Sequence, residues 1–129
     1  MMRDMELVRD LLLKISKAET PPSLSELIPG RKEETPEYML ADYHVRMLVH
    51  DAQFLRGTDA NSSSGPEWLT LELTWAGNDF LSNIRDPTVW ERTKRGVQML
   101  GGASWDIVIQ LAKSYVKQEA KKRLGIDLG

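Results

Sequence analysis

Between Thr35 and Thr74 the hydrophobic period changes from about 3.6 to 2, and that change narrows the folds open to the chain. On the first side Ala41, Val45, Leu48, Val49 and Ala52 share one helix face, flanked by Tyr43, Met47 and Phe54. Thr35-Pro36 supplies an N-cap followed by proline at the first helical position, so the pattern predicts a helix reaching about Phe54. On the second side Leu69, Leu71 and Leu73 alternate with Trp68, Thr70, Glu72 and Thr74, as in a half-buried strand. Phe54-Leu55-Arg56 is a short strand candidate, and Thr58 to Glu67 between them is made of turn formers. A helix running into an antiparallel hairpin is the expectation.

Helical patterns bracket this centre. Val8, Leu11, Leu12 and Ile15 form a stripe that must stop before Thr20-Pro21-Pro22. Ser23 and Glu26 have capping-box spacing, Pro29-Gly30 ends whatever they start, and Arg31 to Thr35 is a charged connector. Past the hairpin, Trp75–Ile84 reads as a short helix. Asp86-Pro87 starts a helix to about Leu100, and Gly101-Gly102 breaks it. Ser104 caps a last helix in which Trp105, Val108, Ile109, Ala112, Tyr115 and Val116 share a face, ending near Gly125. The expected class is α+β, mainly α: a winged-helix-like domain of helices plus one β-hairpin wing, with a helical C-terminal extension. At 129 residues a single domain, 1–129, is expected, with 1–84 as the winged-helix-like core and 85–129 as the extension.

Several blocks resemble a known family. Arg3-Asp4-Met5 and Leu7-Val8-Arg9 open the chain, and Tyr43-His44 lies in the central helix. Leu73-Thr74-Trp75, Gly77, Phe80-Leu81, Ile84-Arg85-Asp86, Thr88-Val89-Trp90, Lys94 and Gly101-Gly102-Ala103-Ser104 follow the hairpin. Together they are similar to the bacterial and prophage family called domain of unknown function 2513. Ala76 stands where the family pattern suggests an acidic residue and Asn78 where it suggests histidine, and Pro21 to Thr35 is longer and more charged than its usual link. The resemblance implies a winged-helix-like fold and a bacterial or prophage source. It supplies no activity and no catalytic residue.

Composition and motifs exclude most chemistry. The absence of Cys removes disulfides, thiolate metal sites and cysteine nucleophiles. His44 and His50 are six apart, on different helix faces, so they cannot clamp one metal. There is no H-E-x-x-H, phosphate-cradling glycine loop or G-x-S-x-G elbow, so no enzyme, cofactor or metal site is expected. The charged first turns are not a secretory signal and no apolar run spans a bilayer, so a cytoplasmic protein without a membrane partner is expected.

Two binding readings remain. In the first, Arg46, His50 and Gln53 project from one helix face at i, i+4 and i+7 to meet bases of double-stranded DNA, while Lys113, Lys117 and Lys121 meet phosphates. The bland version is a solvated face with an Asp42–Arg46 pair worth about 0.3–0.5 kcal/mol. In the second, the chain is a protein-interaction or homodimer module. Trp68, on the polar side of its strand, or Tyr115 on the last helix then touches the partner; Trp68 packed under the C-terminal helices is the alternative. Charge divides the two readings. Residues 37–84 hold two basic and seven acidic side chains, whereas residues 85–129 hold nine basic and five acidic. Phosphate neutralisation dominates DNA affinity, so a duplex reader of this sequence depends on its last helix.

Overall fold

A computed structural model describes residues 2–28 and 35–128. The expected break at Pro29-Gly30 and the connector from Arg31 to residue 34 lie outside the described residues. The helices are α1 (Met5–Lys17), α2 (Leu24–Leu27), α3 (Pro36–His50), α4 (Trp75–Ile84), α5 (Pro87–Met99) and α6 (Trp105–Leu124). Strands β1 (Leu55–Asp59) and β2 (Trp68–Leu73) form one antiparallel hairpin. The class is α+β, mainly α. The chain makes two compact units, Met1–Asn78 and Asp79–Gly129.

Helix starts follow local chemistry. Ser23, Thr35, Asp86 and Ser104 each occupy an N-cap and accept from a backbone N–H of the first turn, satisfying donors with no partner inside the helix. Asp4 does the same for α1, and its own N–H donates to His44 Nε2 at 2.7 Å. His44 is fully buried, and its Nδ1 lies 2.9 Å from Leu40 O, so the ring fastens α1 to α3. The family-like blocks Arg3-Asp4-Met5 and Tyr43-His44 thus meet at one hydrogen bond.

In the first unit Val8, Leu11, Leu12, Leu24, Tyr38, Ala41, Val45 and Leu48 are buried together with Phe54, Leu55, Trp68 and Leu71 of the hairpin. Helix α3 ends at His50, short of the expected Phe54. Gln53 takes a left-handed conformation (φ 59°), and Phe54 N returns to Leu48 O at 2.9 Å. Thr74 holds this turn from the other side, its Oγ1 donating to Gln53 O at 2.6 Å and accepting from Gly77 N at 3.1 Å. A Cβ on Gly77 would fall 2.1 Å from Phe54 O, so only glycine permits that approach.

The hairpin register corrects the expected alternation. Arg56 pairs with Glu72 but Thr58 pairs with Leu69, which leaves Thr70 as an extra residue at φ 50°. That bulge reverses the inward and outward order of β2 before it. Trp68 and Leu71 are therefore both buried, while Leu69 is exposed. A left-handed β-branched residue is strained, and burial of the Trp68 ring opposes the strain.

Glu67 locks the unit. It is 7% exposed and accepts from Ser25 N at 3.2 Å, Trp68 N at 3.0 Å and the Ser25 hydroxyl. The Tyr38 hydroxyl lies 3.1 Å from the same carboxylate. Burial pushes the Glu67 carboxyl up, but these bonds outweigh it and hold the group below its ordinary value.

In the second unit Phe80, Leu81, Ile84, Val89, Trp90, Val97, Val108 and Ala112 form the core. Trp105 is half-buried with its ring edge toward Phe80, the centroids 6.3 Å apart.

Candidate functional site

Two of the three residues expected to read bases, Arg46 and His50, lie beside the hairpin, His50 still exposed. Asp42, Arg46 and His50 follow one another a turn apart, and Trp68 lies across them. Its indole Nε1 donates to Asp42 Oδ1 at 2.9 Å, the Arg46 guanidinium sits 5.2 Å from its ring centroid, and the His50 ring centroid is 6.1 Å away. Arg46 also pairs with Asp59 at 2.9 Å and with Asp42 at 3.4 Å. The Asp59 carboxylate beside it raises the Arg46 pKa, and Arg46 in turn lowers that of Asp59. The Asp42–Arg46 pair expected from spacing is present, as one edge of a larger cluster.

Gln53 is not on this face. It follows the helix end in the left-handed turn, exposed, with its carbonyl held by Thr74. Trp68 is 1% exposed rather than displayed, and it packs on α3. The exposed tryptophan is Trp75, at 84%. Tyr115 is half-buried, with the Arg92 guanidinium 4.5 Å from its ring centroid. A Cβ on Gly96 would lie 2.9 Å from the Tyr115 hydroxyl, so the ring is part of the close packing of α5 on α6.

The lysines of α6 behave differently. Lys113, Lys117 and Lys121 are exposed and make no ion pair among the described residues. Lys113 and Lys117 border a cavity of about 310 Å³, with Asp79, Ser82, Asn83, Val116 and Leu128 as its other walls. A second cavity of about 360 Å³ shares Ser82, Asn83 and Val116 and continues past Val89, Ala120 and Leu124. The two form one groove between the C-terminal half of α4 and α6 from Lys113 to Leu124.

Charge is distributed unevenly along it. At the far end Glu119, 7% exposed, lies 3.6 Å from Arg92 and 2.9 Å from Arg123. Arg123 also grips Asp86 through two bonds, while Asp86 caps α5. Arg123 holds the Asp86 carboxyl below the usual carboxylate range. Those cations are satisfied by the protein, whereas Lys113 and Lys117 have no ion-pair partner among the described residues. An apolar floor beside unpaired ammonium groups can receive a chain carrying both aliphatic and carboxylate side chains. Periodicity locates the lysines but not the groove wall from Ser82, Asn83 and Leu128, because those residues reach it from separate stretches of chain. Among the described residues no three His, Cys, Asp or Glu side chains are grouped to hold a metal ion, and no helix is long and apolar enough to cross a membrane.

Comparison with known proteins adds a family. The model of the hypothetical-protein family DUF2513 matches residues 2–104. The chain belongs to the DUF2513 family. It is also 30% identical over 121 residues to an uncharacterised protein of Haemophilus influenzae, a match covering 92% of this chain and 98% of the relative. No solved structure matches. The DUF2513 match covers α1 through α5 and stops at Ser104, the cap of α6, so the lysine-bearing helix lies beyond the region the family model describes.

Proposed function

We propose that this DUF2513 chain is a bacterial or prophage cytoplasmic protein that acts without chemistry, as a protein-interaction module. Its second unit docks an acidic segment of a partner protein in the α4–α6 groove. The observation that carries this reading is the pair Lys113 and Lys117, without an ion-pair partner among the described residues, on the rim of an apolar groove. The unit from Asp79 to Gly129 holds nine basic and six acidic residues, whereas the one from Met1 to Asn78 holds eight basic and thirteen acidic. Exposed ion pairs contribute only about 0.2–1 kcal/mol each, so the lysines would steer and orient while the groove floor supplies affinity.

The duplex-reading alternative draws less support. Arg46 is engaged by two carboxylates and an indole, and Gln53 lies off the helix. What remains of it is phosphate contact by the α6 lysines and the exposed His50 beside Trp68.

Fluorescence anisotropy with two labelled probes, an Asp- and Leu-rich peptide and a random duplex DNA, tests the choice on the full chain. The expected result is peptide binding that Lys113→Glu with Lys117→Glu abolishes and Arg46→Ala leaves intact. Duplex binding tighter than peptide binding, with a steep fall as salt rises, would overturn the reading in favour of nucleic acid.

A further inference from the structure

The groove already has a partial occupant. Helix α6 ends at Leu124, and Gly125 (φ 69°) caps it in the left-handed conformation, its N–H donating to Lys121 O at 3.0 Å. The chain then turns back, because Leu128 is a wall of the cavity bordered by Lys113, Val116 and Lys117. Lys117 lies about 12 Å back along the helix axis from Gly125 at the α-helical rise. Three extended residues reach about 10–11 Å, so the tail must run nearly extended alongside the last turns of α6 for the Leu128 side chain to arrive there.

The chemistry of this tail matches the groove. It places two aliphatic residues, Ile126 and Leu128, around one carboxylate, Asp127, next to a helix end that carries Lys121, Lys122 and Arg123. Its grip is partial: Leu128, the cavity wall, is 52% exposed, and Ile126, 47% exposed, lines neither cavity. A segment seated through Leu128, itself half exposed, is displaceable, yet it occupies the surface a partner would need.

We propose that Ile126–Leu128 is a built-in pseudo-ligand of the α4–α6 groove, and that the external partner presents the same pattern, an acidic residue between aliphatic ones. This rests on the docking reading above and deepens it. While seated, the tail reduces the fraction of molecules competent to bind, so the apparent dissociation constant rises in proportion. The weak seating implies a competition of roughly three- to tenfold rather than complete closure.

The test compares the full chain with a chain stopped after Gly125, using a fluorescein-labelled peptide that repeats the tail, Leu-Gly-Ile-Asp-Leu-Gly. The shortened chain is expected to bind it roughly three- to tenfold more tightly, and a peptide with Lys in place of Asp is expected to bind neither form. In parallel, backbone amide resonances of Asn83, Val116 and Lys117 should move on truncation and return when the tail peptide is added. Equal affinity of both forms for the Asp- and Leu-rich probe, with unmoved resonances, overturns the tail inference and leaves the docking reading standing. If neither form binds that probe but the resonances still move and are restored, the docking reading falls and the tail's seat in the groove stands.

Discussion

Helices α3 and α6 carry the same kind of polar stripe and use it oppositely. On α3 Asp42 and Arg46 bond to each other, to Trp68 and to Asp59, so their charges are spent within the fold, while His50 lies exposed beside the indole. On α6 the row Lys113, Lys117, Lys121 makes no ion pair among the described residues, and its first two members border a groove. Spacing establishes which side chains share a helix face. It is silent on what the rest of the chain lays against that face, and this decides whether the stripe is a scaffold or a surface.

Substitutions can break that contrast, beginning with the largest expected effect. Trp68→Ala should cost about 3–5 kcal/mol in urea unfolding, since it empties the site beneath the Asp42–Arg46 cluster. Trp75→Ala, at an 84% exposed position, should stay within about 0.5 kcal/mol. Equal costs for the two would mean that the indole does not hold the α3 face.

Next comes Glu67→Gln, expected to cost about 2–3 kcal/mol at neutral pH because a charged acceptor of several bonds is lost. The native carboxyl titrates below its ordinary value, so its stabilisation is complete above that value and disappears as pH falls through the folded-state pKa. Urea midpoints measured through the acidic range should therefore decline more steeply for the native chain than for Glu67→Gln. Parallel declines would show that another group controls the acid limb.

Asp42→Ala should cost about 1–3 kcal/mol, because it leaves the buried Trp68 indole N–H without its acceptor and frees one side of Arg46. A change in indole fluorescence with little loss of stability would mean that the ring finds another partner. Smallest on stability is Lys113→Glu with Lys117→Glu, expected within about 0.5 kcal/mol by thermal unfolding while acidic-peptide binding is lost. A large drop in melting temperature would instead make the α6 stripe structural, like that of α3.

Much of the architecture is legible in the sequence. Ser23, Thr35, Asp86 and Ser104 cap helices where short-range hydrogen bonding predicts, and Gly125 ends α6 because a left-handed residue is needed there. The α1 stripe and the hairpin following α3 are equally local signals, and the family resemblance agrees with the matched region. Within the candidate site the α6 lysines were legible for the same reason, as positions on one helix.

The rest needed distant parts of the chain to meet. Thr70 has no local preference for a left-handed bulge; the indole of Trp68 and the row from Asp42 to His50 hold it there, and with it the inward side of β2. Gln53 stands off α3 because Thr74, far along the chain, grips its carbonyl. Hydrogen bonds a few residues long are encoded where they occur, so helix starts and stripes come with the sequence. Burial is settled only when two surfaces come together, and that left to the tertiary structure which tryptophan is hidden, which arginine is occupied and which lysines remain available.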